Sequence, residues 1–445
     1  MADTEPLKAA IAAALDAAAD ELTAFGEDIF DHAEIGFREE RTAAYVADAL
    51  RAQGLSPREG LALTGVKAQL ATGRPGPTIA VMGELDGLPV PDHYRADKKT
   101  GVVHACGHNA QLTHLVGVAR ALIQTDALKQ LSGNVLFVAV PAEEYVDLEW
   151  RSDQAKQGRI EFLGGKAELL RVGELDDVDM AILVHGTGSR EDRQLSLRMS
   201  ANGLVAKRAR FIGRASHAGA APERGINALN AATLALQAIH MQRETFRDED
   251  HIRVHPILTH GGSTINVVPA DVRLETFVRG ATYEAIADAA AKVDRALEAG
   301  ALAVGASVEI ETLPGYMPLI VDPDMAALFK QNALRLVGQH GWAEAGPIAA
   351  STDAGDLSHV MPMLHPSHGG CRGTNHAADF EIAEPYVAYV QPAKAIAHTI
   401  VDLLSDDAFE ARRILASHAP PMTKDQYLEH MRGLARTHRF PSLSA

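Results

Sequence analysis

The chain has 445 residues, 47% hydrophobic and 22% charged, with 42 basic against 58 acidic side chains and a net charge of −16. That length exceeds what one hydrophobic core organises, so two domains are expected, and the composition is that of a soluble globular protein. The acidic balance argues against non-specific binding to nucleic acid or anionic membranes, no run reaches the ~18 apolar residues of a membrane span, and two cysteines exclude a disulfide framework and fit a reducing cytosol.

The first twenty residues are Ala-rich with interspersed acids and lack a basic stretch ahead of an apolar core. They do not read as a signal peptide, and a cytoplasmic location is expected. Leu7 to Phe25 and Arg41 to Gln53 have the spacing of amphipathic helices, the second ended by Gly54. Thr78-Ile-Ala-Val-Met82, Asn134 to Val140 and Asp179 to Val184 are short apolar runs of the kind that form buried parallel strands. Between the first two lies a helical pattern over Gln111 to Gln124. Strands alternating with helices predict an α/β domain with a mostly parallel sheet.

From about Ser200 the texture changes. Strand patterns over Leu204 to Gly213, Arg253 to Thr259, Asp271 to Val278 and Ser307 to Thr312 enclose helices over Asn227 to Gln242 and Thr282 to Ala299. That order predicts an inserted α+β two-layer sandwich. Long helices return over Asp324 to Gly338 and Tyr386 to Leu404, and Met422 to Ala445 reads as a terminal helix and tail. The expected division is therefore 1–199 and 314–445 for the first domain, with 200–313 inserted.

The chemistry-bearing residues cluster. His104-Ala-Cys106-Gly-His108 packs imidazoles and a thiol into five positions, ligand types suited to a borderline-soft divalent ion. A buried cysteine flanked by hydrogen-bonded histidines would look the same. The three predicted parallel strands run directly into Gly83-Glu84-Leu85-Asp86, Pro141-Ala142-Glu143-Glu144 and His185-Gly186. Ligands of open α/β sheets bind at that edge. An exposed Glu-Glu pair is usually a surface feature, so the common location carries the argument. Later, Ser351-Thr352-Asp353-Ala354-Gly355-Asp356 is a polar loop, and His359, His365, His368 and His376 follow. His376 lies in a turn-rich segment, Gly373-Thr374-Asn375-His376, suited to a site loop. The other three read as packing or supporting groups, and Cys371 as a small residue without a chemical role.

Taken together, His104-Ala-Cys106-Gly-His108, Pro141-Ala-Glu143-Glu144, Val184-His185-Gly186, Gly213-Arg-Ala-Ser-His217-Ala-Gly, Ile265-Asn266-Val-Val-Pro269 and Gly373-Thr-Asn-His376 resemble, in order, the metallopeptidase family of aminoacylases, glutamate carboxypeptidases, auxin-conjugate amidohydrolases and p-aminobenzoyl-glutamate hydrolases. The likeness runs from about Phe25 to Leu404 and is strongest to the amidohydrolase branch. It implies a zinc-peptidase-type catalytic domain with one or two divalent ions, zinc or manganese and possibly cobalt, plus a smaller lid and dimerisation domain. It implies Cys106, His108, Glu144, His185 and His376 as metal ligands, Glu143 as general base, and Asp86 as the group orienting a ligand histidine. It further implies His217, from the lid of a partner protomer, as oxyanion donor, with Asn266 and Arg279 holding a substrate carboxylate or the reacting oxygen. The chain departs from common relatives at Gly83-Glu84, at Ala221-Pro222-Glu223 and over Tyr145 to Arg151.

The leading expectation is a metal-dependent hydrolase of an N-acyl or N-aroyl amino acid, acting as a homodimer on a small carboxylate-bearing substrate. One rival uses the same machinery as a hydrolytic deaminase of an amino-substituted aromatic, like nitroanthranilate aminohydrolase, and releases ammonia. Two others are a thiol hydrolase with Cys106 as nucleophile and a non-catalytic metal- or ligand-binding protein.

Overall fold

The computed structural model describes residues 3–441, so the last four residues of the predicted tail lie outside the described ones. The chain divides into two compact units. One comprises residues 3–199, 320–347 and 356–423; the other comprises 200–319, 348–355 and the segment from Lys424.

The first unit is built on a six-stranded sheet in the order Arg58–Leu61, Gly65–Ala71, Asn134–Val140, Thr78–Glu84, Met180–Ile182, Met363–Leu364. The last four strands run parallel, and the first two form an antiparallel edge. All seven residues of Thr78–Glu84 are buried, as expected of a strand with parallel neighbours on both sides and helices above it. The helix His108–Gln124 lies directly on this strand. At Gly83 a Cβ would meet the Gln111 backbone at 3.0 Å, so the strand and helix approach as closely as they do because no side chain intervenes. The helix is buried on almost every face, packed by helices Glu5–Ala17, Ala19–Asp31 and Gln391–Ser417. A four-stranded sheet holding His185–Gly186, Leu195–Leu197, Trp342–Glu344 and Ser367–His368 completes the unit.

The second unit is an antiparallel sheet in the order Arg253–Val254, Asp271–Gly280, Gly203–Ile212, Ser307–Tyr316, Arg436–Phe440, with Ile257–His260 also pairing Asp271–Gly280. Helices Ala228–Met241 and Tyr283–Val304 cover one face. Val205, Ala209, Phe211, Val272 and Leu274 meet Ala231, Ile239, Ala289 and Leu297 there. The other face carries cross-strand charge pairs, Arg208 with Glu275 and Glu311 and Arg210 with Asp271. The α/β domain and the two-layer α+β sandwich are as expected from the sequence.

Three details differ from the sequence expectation. The predicted helix over Leu7 to Phe25 is two helices, Glu5–Ala17 and Ala19–Asp31, turned at buried Ala18; no Gly or Pro marks the turn, which packing sets. The predicted strand over Arg253 to Thr259 is two short strands, because Pro256 has no N–H to give a ladder. The C-terminal segment does not stay with the first unit: Arg436–Phe440 pairs with Ser307–Tyr316 as an edge strand. No helix among the described residues is long and apolar enough to cross a membrane.

Candidate metal centre

Parallel strands end at one edge, and there the first unit gathers its polar groups. Thr78–Glu84 delivers Glu84 and Asp86, Asn134–Val140 delivers Glu143 and Glu144, and the chain after Met180–Ile182 delivers His185. Gly107, at φ 81°, turns the chain into the helix that begins at His108; this reversal sets Cys106 and His108 side by side. The Gly373–His376 loop docks by its backbone and by Asn375. The His376 N–H donates to Ala105 O at 2.8 Å, and Asn375 Nδ2 donates to Gly186 O at 3.2 Å.

Among the described residues, three groups bring ligand atoms within 4.8 Å of one another: Cys106, His108 and His185; Cys106, Glu144 and His376; and Glu84, His108 and Glu143. Cys106 Sγ is shared by the first two, 3.4 Å from His185 Nε2 and 3.2 Å from His376 Nε2. His376 Nε2 lies 3.0 Å from Glu144 Oε1. Each buried imidazole is oriented through its other nitrogen. His108 Nδ1 donates to Asp86 O at 2.8 Å, and His185 Nδ1 donates to Gly186 O at 2.8 Å. Both present Nε2 to the cluster, the arrangement metal-binding histidines need. The Asp86 carboxylate accepts the Glu143 and Glu144 N–H groups at 3.1 and 2.9 Å. Asp86 therefore supports one ring with its carbonyl and the Glu-Glu loop with its side chain.

The electrostatics fit a divalent cation. Burial and Glu144 push the Cys106 thiol up, but His185, His376 and His108 outweigh them and bring it down to about 5. The Glu144 carboxylate holds His376 up to about 11. Burial opposes ionisation of Glu144, yet His376 brings it down to about 2. Anions and imidazoles here hold one another charged, and a cation would take the place of the protons. His108 Nε2 is fully buried, faces Glu84 Oε2 at 3.0 Å and makes no hydrogen bond; once deprotonated, its lone pair is available to a metal ion.

Residues 80–400 match Peptidase family M20/M25/M40. The chain belongs to this family. The Xaa-Arg dipeptidase of Mus musculus is 28% identical over 429 residues, covering 91% of this chain and 90% of the relative. A p-aminobenzoyl-glutamate hydrolase chain of Escherichia coli (strain K12) is 29% identical over 325 residues, 71% of this chain and 70% of the relative. Among solved structures, the Bacillus subtilis YXEP protein, described as a dinuclear metal binding peptidase from M20 family, aligns with a TM-score of 0.64 at 21% identity, covering 87% of this chain and 99% of that one. This M20 chain is a metal-dependent amidohydrolase acting on C–N bonds.

All seven residues that sequence reasoning placed in the catalytic domain of this M20 chain meet at one edge: Asp86, Cys106, His108, Glu143, Glu144, His185 and His376. His217, Asn266 and Arg279 lie in the second unit. His217 is exposed and its Nδ1 accepts the Gly219 and Ala220 N–H groups, which leaves Nε2 as the donor. Asn266 sits beside it, its carbonyl accepting the Ala218 N–H at 3.0 Å. Arg279 lies on the Asp271–Gly280 strand with its guanidinium over the Phe277 ring. His104 belongs to none of the three groups, and burial brings it down to about 3, so it is neutral. His365 stacks on His185 and His368 packs edge-on to His114. Burial pushes the Cys371 thiol up to about 12, consistent with an inert side chain.

Sequence reasoning missed Glu39. It is fully buried, accepting the Ala142 N–H at 2.7 Å and the Thr64 hydroxyl at 2.6 Å. It thereby holds the turn at Ala142, φ 53°, that aims Glu143 and Glu144. Burial, with Asp86 nearby, raises its pKa from 4.5 to about 7. The folded state thus binds this proton more tightly than the unfolded chain. The stability it contributes is full below about pH 4.5 and is lost as the pH rises to about 7. In Glu39→Gln, Oε1 can still accept the Ala142 N–H, Nε2 can donate to the Thr64 hydroxyl oxygen in place of the present acceptance, and there is no charge to desolvate. Thermal melts should show the variant matching wild type at pH 4.5 and exceeding it at pH 8, by on the order of 2 kcal/mol. Equal melting at both values would contradict a buried, proton-holding Glu39.

Proposed function

We propose that the chain hydrolyses the amide bond of an N-acyl or N-aroyl amino acid, with Glu143 as general base. Cys106, His108, Glu144, His185 and His376 would hold one or two divalent ions, and the mixed S, N and O set suits zinc, with manganese or cobalt as further candidates. The observation that carries this reading is the division of labour between adjacent glutamates. Asp86 pins both their N–H groups, while Glu144 faces His376 at 3.0 Å and Glu143 Oε2 stands 3.8 Å from His108 Nε2. On this reading one carboxylate ligates and the other carries protons.

A bound divalent ion supplies Lewis acidity, lowering the pKa of water toward ~7 and polarising the scissile carbonyl. Glu143 takes the proton from the attacking water and delivers it to the departing nitrogen. The developing oxyanion needs a donor aimed at it, and His217 Nε2, on the lid of a partner protomer, fills that role. Asn266 and Arg279 hold the substrate carboxylate. The same reading takes the enzyme as a cytoplasmic homodimer acting on small molecules. The Xaa-Arg dipeptidase and aminobenzoyl-glutamate hydrolase relatives support an amino-acid leaving group.

The test is a panel of N-acyl amino acids, dipeptides, p-aminobenzoyl-glutamate and amino-substituted benzoates, with separate readouts for free amino acid and for ammonia. Release of amino acid, abolished by chelator, is the expected result. Ammonia from an aromatic amine, with no amino acid released, would overturn the amide reading in favour of a deaminase.

A further inference from the structure

Glu84 ends a buried strand at the site, and the mechanism above does not use it. It is fully buried at the end of the Thr78–Glu84 strand. Its position is fixed from three sides. Lys166 Nζ, also fully buried, lies 2.6 Å from Oε1. Gln111 clamps it twice, Nε2 donating to Oε2 at 2.8 Å and Oε1 accepting the Glu84 N–H at 2.9 Å. His108 Nε2, the nitrogen presented to the cluster, lies 3.0 Å from Oε2 without making a hydrogen bond. A carboxylate oxygen has two acceptor sites, and Gln111 occupies one of those on Oε2.

We propose that Glu84 is a fourth ligand of the ion held by Cys106, His108 and His185, presented by Lys166 and Gln111. This rests on the metal-dependent reading above and deepens it. Donor atoms around one small cation, at bond lengths of roughly 2.0–2.3 Å, sit about 3–4 Å apart. The Glu84–His108 separation of 3.0 Å has that spacing, and among the described residues Glu84, His108 and Glu143 bring ligand atoms within 4.8 Å of one another. Lys166 Nζ, 2.6 Å from Oε1, offsets the carboxylate's charge, so the ion gains an oxygen ligand at little cost in net charge. The two ion positions then differ in kind. With Glu84, the His108 and His185 position has four protein donors and is closed. The Glu144 and His376 position has three, and the His376 side chain is 49% exposed. Three protein ligands with an open fourth position is the pattern of a catalytic ion, and four is the pattern of a structural one. Water and substrate should therefore be activated at the Glu144 and His376 position.

The experiment strips the full-length chain with chelator and titrates in zinc against a chromophoric competitor, comparing wild type with Glu84→Gln/Lys166→Met. The double substitution removes both charges of the Glu84–Lys166 pair together rather than one of them alone. Cobalt loading gives a second readout from the d–d spectrum. The expected result is one ion bound as in wild type, a second weakened about 10- to 100-fold or more, and a changed cobalt spectrum. Unchanged stoichiometry, affinities and spectrum would overturn the assignment. A wild-type chain that binds no zinc would instead sink the metal-dependent reading itself. If the variant does not fold, a crystal structure of the zinc-loaded wild type decides: zinc within bonding distance of Glu84 supports the proposal, and zinc beyond it refutes the proposal.

Discussion

Glu143→Ala should lower kcat by about 10³-fold or more and leave bound metal at the wild-type level. General acid–base groups contribute roughly 10²–10⁴-fold, and in the proposed mechanism one carboxylate serves both proton transfers. The prediction is strong because the neighbouring glutamates sit in different surroundings. Glu144 faces His376 and its ionisation is favoured by it; Glu143 stands off His108 at 3.8 Å. Metal analysis beside single-turnover kinetics checks it. Loss of metal from the Glu143 variant would mean that the two roles are exchanged. Glu144→Ala should give the opposite pattern, with metal lost first.

Cys106→Ala should strip metal from both positions and abolish activity, a loss of more than about 10²-fold, since removing even a group behind a ligand costs up to that much. Its sulfur lies 3.4 Å from His185 Nε2 and 3.2 Å from His376 Nε2. Against burial and Glu144, those histidines and His108 bring the thiol down to about 5, so it is ionised and ready to ligate at neutral pH. This variant also separates a ligand from a nucleophile. A protein that keeps its metal and loses all turnover would point to Cys106 as the attacking group, as would wild-type activity resistant to chelators. Loss of metal together with activity fits the ligand role.

Much of the site was legible because parallel strands announce where their ends go. Three apolar runs ending in Glu84-Leu85-Asp86, Glu143-Glu144 and His185 implied one edge, and the chain places them at one edge. His376 was legible from its turn-rich loop, although the contacts that dock it, to Ala105 and Gly186, were not. Glu84 was read as lying at that edge and as a departure from common relatives, but was given no role. Its meaning depends on Lys166, 82 residues away, and on Gln111, which reads as one more polar residue in a helix. Glu39 was invisible for the same reason: its partners Thr64 and Ala142 are distant in sequence, and nothing local marks it as buried. The Gly65–Ala71 strand escaped notice because Gly, Ala and Gln weaken its alternation. The C-terminal strand Arg436–Phe440 escaped because four of its five residues are polar, as an edge strand permits. In the second unit, strong alternation made the strands and helices readable, while the place of the C-terminal segment was set by pairing with Ser307–Tyr316.

The most direct test of metal-dependent amide hydrolysis is a metal titration of chelator-stripped protein, followed by release of free amino acid from an N-acyl substrate. The account predicts no release without metal and recovery that saturates as the Cys106, His108, Glu144, His185 and His376 cluster fills. Full-rate release from protein shown to hold no metal would contradict it.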